Sequence, residues 1–181
     1  MSFAKVGEPA PDFRMPSTKN MKTLDEPVSL KDYEGRWVVL VFYPLDFTFV
    51  CPTELTAISD RYEEFEERDT EVIGVSTDSV HSHRAWINLS RDSNGVQGLR
   101  YPLAADMSHQ VSRDYGVLVE NEGVALRGLF IIDPEGILQY SVVHNLNVGR
   151  SVEEVLRVLD GLQTGGLCPS DWKPGEAMLT A

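Results

Sequence analysis

The feature that most constrains the fold of this chain is a continuous apolar run from Trp37 to Tyr43. The run is rich in β-branched and aromatic residues, which indicates a strand that is buried on both faces. Pro44 ends it, since proline has no N–H group for a β-ladder. Strands of this kind belong to parallel or mixed sheets with helices on either side. The run therefore predicts an α/β protein with a mixed central sheet flanked by helices.

A helix is predicted soon after this strand, with Cys51 in its first turn. Pro52 fits the first helical position, where a missing N–H group costs nothing. The apolar residues that follow recur at helical spacing and form one face, which consists of Leu55, Ile58, Tyr62 and Phe65. Cys51 would then lie at the carboxyl end of a sheet strand, where open α/β folds bind their ligands.

A cysteine at this position is predicted to be a reactive thiolate. Unpaired backbone N–H groups and the helix dipole favour negative charge in the first turn of a helix. The thiolate is the nucleophilic form of cysteine. The alternative is a buried structural cysteine that behaves as a small hydrophobe. Thr48, Pro52 and Thr53 supply hydroxyl groups and a helix start close to Cys51, and they favour the reactive cysteine.

Length and charge limit the class of protein. The 181 residues suffice for one domain with a sizeable core. The formal net charge of −12 argues against nucleic acid and anionic membranes as partners, because phosphate binding needs clustered lysine and arginine. No charged and then apolar leader opens the sequence, and no apolar run reaches about 18 residues, so we expect a cytoplasmic protein without a membrane span.

The cysteine and histidine patterns bear on redox and metal chemistry. In a cytoplasmic chain, the two cysteines, Cys51 and Cys168, point to catalysis or redox chemistry rather than to a structural framework. They do not form a Cys-x-x-Cys motif, which excludes thioredoxin-type exchange within one motif. The histidines lack metal-ligand spacing, so we expect no metal site and each histidine at the surface or locally hydrogen-bonded. They are His81, His83, His109 and His144.

Strands and helices alternate further along the chain. A second buried strand is predicted over residues 71–76. It is followed by a helix from Ser79 to about Arg91 that buries Ala85, Trp86 and Leu89. This order of elements supports the mixed sheet between helices.

The C-terminal half begins with a predicted hairpin, in which strands 128–133 and 137–143 are joined by an Asp-Pro-Glu-Gly turn. Ser151 and Glu154 form a capping box at the start of a last amphipathic helix. The residues from Leu167 onward contain proline and glycine, and we expect them to form a mobile tail.

Four segments of the chain resemble those of the typical two-cysteine peroxiredoxins, which are thiol peroxidases also called the alkyl hydroperoxide reductase C/thiol-specific antioxidant family. The pattern Pro44-x-x-x-Thr48-x-x-Cys51 resembles the family's active-site motif, and the string DFTFVCPTE at residues 46–54 resembles the two-cysteine subclass. Residues 125–133, 148–151 and 168–175 resemble the arginine strand, the second arginine and the resolving-cysteine segment. The segments occur in the expected order over nearly the whole chain, and they imply the thioredoxin-like fold.

The resemblance implies roles for four residues of one pocket. Cys51 would attack the peroxide, and Thr48 would hydrogen bond to the peroxide oxygens. Pro44 would shield the thiolate from bulk water. Arg127 would arrive from a distant strand, stabilise the thiolate and polarise the peroxide.

Glu54 and Arg150 are expected to support this pocket. A carboxylate three residues after Cys51 would oppose a thiolate unless it is neutralised. Paired with Arg127 or Arg150, Glu54 would instead orient the guanidinium groups. The alternative for each arginine is an ordinary surface side chain.

Cys168 is the predicted resolving cysteine. A peroxide converts a thiolate to a sulfenic acid, which condenses with a second thiol, and Cys168 is the only other thiol in the chain. The resemblance implies that it reaches Cys51 of the partner subunit in a homodimer, and that five dimers form a ring. We therefore assign residues 1–165 to a thioredoxin-like peroxidase domain and residues 166–181 to a C-terminal segment with the resolving cysteine.

The predicted function is reduction of hydrogen peroxide and small organic hydroperoxides without a metal, flavin or haem cofactor. Thioredoxin is the expected reductant, since an outside dithiol would reduce the disulfide by exchange. A flavoprotein disulfide reductase is the alternative reductant. From a different class, a holdase or a redox-signalling protein would use the same cysteines to sense rather than to remove peroxide.

Overall fold

The computed structural model describes residues 3–180. Its contacts divide the chain into two compact units, one up to Arg150 and one from Ser151 onward. The elements of the first unit are β1 (Arg14–Met15), β2 (Val28–Ser29), β3 (Trp37–Phe42), α1 (Val50–Asp60), α2 (Tyr62–Glu66), β4 (Thr70–Ser76), α3 (Val80–Ile87), β5 (Leu103–Ala105), α4 (Gln110–Asp114), β6 (Leu118–Val119), β7 (Val124–Ala125), β8 (Arg127–Ile132) and β9 (Leu138–His144). The second unit contains the helix α5 (Val152–Thr164).

A five-stranded mixed sheet forms the centre of the first unit, with the strand order β5-β4-β3-β8-β9. The strands β3, β4 and β5 pair in parallel, whereas β8 and β9 are antiparallel to their neighbours. Two small antiparallel sheets, β1-β2 and β6-β7, accompany it. The mixed sheet and its helices confirm the predicted α/β class.

The central strand β3 is covered on both faces. Residues 38–42 are all buried, and alternate side chains point to opposite faces of the sheet. On one face, the ring centroid of Phe42 lies 5.6 Å from that of Phe130 within a continuous apolar core. Val39 and Val41 are equally buried on the other face. The uninterrupted apolar run thus reflects burial on both sides.

The helix after β3 begins earlier than its sequence pattern predicts. α1 starts at Val50, so Pro52 takes the third helical position rather than the first. Proline is tolerated there because the first four N–H groups of a helix have no partner within it. Arg61 interrupts the helix with non-helical backbone angles, and α2 then continues the apolar face. All four residues of that predicted face are buried.

α3 ends at Ile87, not near Arg91 as predicted. The side chain of Ser90 accepts a hydrogen bond from the N–H group of Asp92 and opens a separate 3₁₀ turn, Arg91–Ser93. Serine side chains offer the backbone such an alternative to a continuing helix. The local cap therefore outweighs the helical spacing of the apolar residues.

The buried face of α3 also differs from the prediction. Trp86 is fully buried, as expected, but Ala85 is exposed and Leu89 is half-buried. The prediction for Ala85 was wrong because His83, three residues before Trp86, shares the buried face instead.

The predicted hairpin is present as β8 and β9. Its turn is held by Asp133, whose Oδ1 accepts hydrogen bonds from the N–H groups of Glu135 at 3.0 Å and Ile137 at 2.8 Å. β8 begins at Arg127, one residue earlier than predicted. Arg127 therefore belongs to the sheet itself rather than to its flank.

The second unit opens with half of the predicted capping box, because the carboxylate of Glu154 accepts hydrogen bonds from Arg157 instead of from the N–H group of Ser151. Ser151 Oγ accepts a hydrogen bond from the N–H group of Glu154, and α5 ends at Gly165 in the left-handed conformation. Beyond it, Leu167 pairs with Leu179, and Trp172 is buried. The mobility of this tail and the functional boundary at residue 165 stay predictions. None of the helices within residues 3–180 is long and apolar enough to span a membrane.

Candidate active site

Cys51 is the second residue of α1 and is fully buried. It therefore lies in the first turn of the helix, as the sequence predicts. The helix follows the carboxyl end of β3 after a seven-residue loop, 43–49. Both Cys51 and Cys168 are free thiols.

Arg127 contacts the thiol of Cys51. The antiparallel register pairs Val41 with Leu129, so the start of β8 lies beside the end of β3. From there, Arg127 Nη1 donates to Cys51 Sγ at 3.4 Å, while Nε donates to the carbonyl oxygen of Leu146 at 2.8 Å. The Arg127 side chain is only 4% exposed. Its charge is thus held beside the sulfur in a site with little access to water.

Glu54 joins the two arginines. It lies three residues after Cys51 on α1, and its Oε2 accepts a hydrogen bond from Arg127 Nη1 at 2.7 Å. Its Oε1 accepts two more from Arg150, from the backbone N–H group at 2.7 Å and from Nε at 2.8 Å. The sequence left open which arginine Glu54 pairs with; it contacts both.

The two arginines keep Glu54 ionised. Burial acts to raise the pKa of Glu54, but the hydrogen bonds and charge of Arg150, together with the charge of Arg127, outweigh it. The pKa of Glu54 is therefore held below its ordinary value. One carboxylate between two guanidinium groups leaves a surplus positive charge near Sγ of Cys51. This charge can stabilise negative charge that develops at the site during a reaction.

Arg150 also fixes this cluster to the sheet. Its Nη1 donates to the carbonyl oxygens of Phe42 at 2.8 Å and Gly128 at 2.6 Å, at the end of β3 and near the start of β8. The segment before it approaches Glu54 closely, since a Cβ atom on Gly149 would lie 3.3 Å from Glu54 Cγ. Glycine at this position therefore permits the contact.

Pro44 and Thr48 lie in the loop between β3 and α1. Pro44 is buried, and Thr48 is half-buried. The hydroxyl group of Thr48 donates to the carbonyl oxygen of Leu45 at 2.9 Å. Because its proton is engaged there, the Thr48 oxygen has lone pairs left to accept a hydrogen bond from a bound ligand. Its predicted contact with a peroxide stays a prediction.

Cys168 lies in the second unit, after α5. Its thiol is half-buried, with Sγ 3.8 Å from the carbonyl oxygen of Gly161 and 3.6 Å from Thr164 Oγ1. These are its contacts within that unit. The structure thus brings Cys51, Glu54, Arg127 and Arg150 together in the first unit, and the role of Cys168 stays a prediction.

A second polar cluster was missed by the sequence analysis. Asp46, Asp78 and His83 are brought together so that one ligand-type atom of each lies within 4.8 Å of the others. His83 is fully buried, and its ring is hydrogen-bonded to Asp46 and Ala104, which are 37 and 21 positions away in the sequence. The expectation of a histidine at the surface or bonded locally was therefore wrong for His83. Asp46 lies in the loop before α1, Asp78 in the loop after β4, and His83 on α3, so their sequence spacing gave no signal.

Comparison with known proteins identifies the chain as a thiol-dependent peroxidase, an oxidoreductase. The chain belongs to the AhpC/TSA family, whose model matches residues 6–141, and it is a peroxiredoxin of the two-cysteine type.

Relatives match nearly the whole chain. The Bacillus subtilis protein YkuU, named as a peroxiredoxin, is 60% identical over 99% of this chain and 100% of that protein. The thioredoxin peroxidase of Echinococcus granulosus is 51% identical over 95% of this chain and 90% of that protein. The reduced 2-Cys peroxiredoxin of Plasmodium vivax superposes with a TM-score of 0.91 at 38% identity, covering 96% of this chain and 91% of that structure. This structural match confirms the thioredoxin-like fold.

The contacts of Arg127 lead to a first prediction. Replacing Arg127 with lysine should lower the rate constant for sulfenic acid formation at Cys51 about 100-fold, a loss typical of one missing donor to developing charge. Lysine keeps the charge, but it cannot donate along the separate directions to Leu146, Glu54 and Cys51. Stopped-flow measurement of the reaction with hydrogen peroxide would give the rate constant.

The matched control is Arg113→Lys, which changes a guanidinium group in a partly exposed ion pair with Glu120. Its rate constant should equal that of the parent. If Arg127→Lys also equals the parent, Arg127 is a structural residue and takes no part in the reaction.

Proposed function

We propose that the protein reduces hydrogen peroxide and small organic hydroperoxides through a sulfenic acid on Cys51. The observation that supports this most directly is the pair of hydrogen bonds from Arg127 Nη1, which reach both Cys51 Sγ and Glu54. The thiolate attacks one peroxide oxygen, the O–O bond breaks, and the S–O bond forms. The leaving oxygen takes up a proton and departs as water or an alcohol, while the sulfur is oxidised.

The loop before α1 completes the reaction site in this proposal. Thr48 accepts a hydrogen bond from the peroxide O–H group, because its own proton is engaged by Leu45. This contact holds the peroxide in line with the sulfur of Cys51. Pro44, which is buried and has no N–H group, limits the access of water. Arg127 stabilises the charge that develops on the leaving oxygen.

Resolution by Cys168 follows. Its thiol attacks the sulfenic acid of Cys51, which releases water and forms a disulfide. We propose that the two cysteines come from different subunits of a homodimer, and that five dimers assemble into a ring. The free Cys168 thiol and the similarity to proteins named 2-Cys peroxiredoxins support this step.

Thioredoxin is the proposed reductant of this disulfide. One relative is named a thioredoxin peroxidase, and dithiol exchange is the chemistry that such a disulfide requires. A flavoprotein disulfide reductase is the alternative donor of electrons. We further propose a cytoplasmic location, since a reducing compartment keeps both thiols available.

Coupled turnover tests this proposal. With thioredoxin, thioredoxin reductase and NADPH, the protein should consume peroxide over many cycles, measured by the loss of NADPH absorbance. The Cys168→Ser variant should consume about one equivalent and then stop, because its sulfenic acid forms but is not resolved. Turnover only with a flavoprotein disulfide reductase would exclude thioredoxin, and turnover with neither donor would exclude the peroxidase cycle.

The oxidised protein tests the partner of Cys168. On a non-reducing gel, it should migrate as a disulfide-linked dimer. A band at monomer mass with both thiols blocked would mean that Cys168 resolves Cys51 of its own chain.

A further inference from the structure

A buried carboxylate lies in the loop that precedes the reactive cysteine. The side chain of Asp46 is 0% exposed. Its Oδ1 accepts a hydrogen bond from Tyr43 Oη at 2.8 Å, and its Oδ2 accepts one from Ser82 Oγ at 2.7 Å. His83 Nδ1 lies 2.9 Å from the same Oδ2. This carboxylate is thus bound on both oxygens, and none of its hydrogen bonds within residues 3–180 goes to Cys51.

The backbone of Asp46 is held as well. Its N–H group donates to Asp78 Oδ2 at 2.9 Å, and the same oxygen accepts a hydrogen bond from Ser76 Oγ at 2.6 Å. His83 Nε2 lies 3.2 Å from the carbonyl oxygen of Ala104 on β5. The contacts of Asp46 therefore connect the loop directly to α3 and, through Asp78 and His83, to β4 and β5 of the central sheet.

The residues after Asp46 need such support. Phe47 has a φ angle of +58°, which residues other than glycine, asparagine and aspartate rarely adopt. The residue is 51% exposed, so packing covers only about half of it. Thr48 follows directly and donates its hydroxyl proton to Leu45, on the other side of Asp46. Both partners of that hydrogen bond are thus placed by the loop that Asp46 anchors.

We propose that Asp46 is a positioning residue for peroxide reduction, which fixes the loop so that the Thr48 oxygen faces the bound peroxide. This inference rests on the proposed function. Asp46 acts through Thr48 and leaves the thiolate of Cys51 unchanged. Ser82 and His83 contribute by holding the carboxylate, although they lie more than thirty positions away in the sequence.

A cation site is a different use of the same groups. Aspartate and histidine are suitable ligands for several divalent metals. However, both oxygens of Asp46 and Oδ2 of Asp78 already accept hydrogen bonds from the protein. A cation would have to displace these donors, so the contacts favour the positioning role.

The test compares two reactions of Cys51 in the Asp46→Asn variant. Asparagine has the same size, but its NH₂ group would face one of the donor groups that now hydrogen bond to the Asp46 carboxylate. We expect the rate constant with hydrogen peroxide to fall about 10-fold, the effect of losing one hydrogen bond to a charged group. Alkylation by iodoacetamide needs only the thiolate, and its rate constant should stay within about two-fold of the parent. Ser82→Ala, which removes one donor, should lower the peroxide rate constant in the same selective way.

A double variant tests whether Asp46 acts through Thr48. The Asp46→Asn/Thr48→Val protein should react with peroxide no more slowly than Thr48→Val alone, since both changes remove the same contact. Independent roles would multiply the two losses instead.

Asp133→Asn is the matched control, because Asp133 also accepts backbone hydrogen bonds but holds the turn at the far end of β8. It should leave the ratio of the peroxide and alkylation rate constants at the parental value. If Asp46→Asn leaves the ratio of the peroxide and alkylation rate constants unchanged, including the case in which both fall equally, the proposal is overturned. It is also overturned if EDTA changes this ratio in the parent protein. A parent that reacts slowly with peroxide would instead refute the proposed function, and with it this inference.

Discussion

Replacing Cys51 with serine should reduce peroxide turnover to the background of the uncatalysed reaction. Serine differs from cysteine by one atom, but its hydroxyl group is not ionised near neutral pH and does not attack an O–O bond. The variant should fold normally, because Arg127 keeps its hydrogen bonds to Glu54 and Leu146. The measurement is the coupled assay with thioredoxin, thioredoxin reductase and NADPH.

The control for this prediction is Cys168→Ser, which removes the other thiol of the chain. It should still react with about one equivalent of peroxide, since only resolution is lost. The pair of variants therefore separates attack on the peroxide from disulfide formation. Sustained thioredoxin-coupled turnover by Cys51→Ser would contradict the assignment of Cys51 as the attacking residue.

Local sequence signals were sufficient to predict the strand before Cys51 and the helix that contains it. The apolar run, Pro44 and the helical spacing after Cys51 are each visible within a few residues, and the structure has the predicted strand and helix there. The errors lie at positions whose conformation or burial depends on a local helix cap or on a residue that is distant in the sequence. Pro52 lies two positions further into the helix than predicted, and Ala85 is exposed because His83 takes its place in the core.

The contacts around Cys51 could not be derived from local signals, because they join distant parts of the chain. Arg127 is 76 positions from Cys51 and reaches it only through the antiparallel register of β3 and β8. The family resemblance identified Arg127 and Arg150 as site residues, but it did not show which of them pairs with Glu54. The Asp46 network had no signal at all, since polar residues near the end of a strand are usually read as a loop.

The second large effect is expected at Glu54, in the stability of the fold. Glu54→Gln should lower the free energy of unfolding by about 3 kcal/mol at neutral pH, because it leaves two buried guanidinium groups without their carboxylate. The side chains of Arg127 and Arg150 are only 4% and 5% exposed, so water replaces little of the lost interaction. Urea denaturation followed by circular dichroism would give the difference.

Glu64→Gln is the matched control on the surface. Glu64 pairs with Arg61 in an ion pair whose side chains are 38% and 34% exposed. Exposed pairs of this kind contribute between about 0 and 1 kcal/mol, so the control should change the free energy of unfolding by much less. Similar losses in both variants would mean that burial of the Glu54 cluster has no special effect.

The dependence on pH gives this prediction a second test. The folded-state pKa of Glu54 is lowered, since burial is outweighed by Arg150 and Arg127. The stability that its charge contributes is therefore fully present above the ordinary glutamate pKa, about 4.3, and is lost as the pH falls through the lower folded-state value. The free energy of unfolding of the parent should thus exceed that of Glu54→Gln by the full difference at pH 7. The difference should shrink below about pH 4, as Glu54 takes up a proton first in the unfolded state and, at lower pH, in the folded state. A difference that stays constant over this range would show that the loss arises from packing and not from the charge of Glu54.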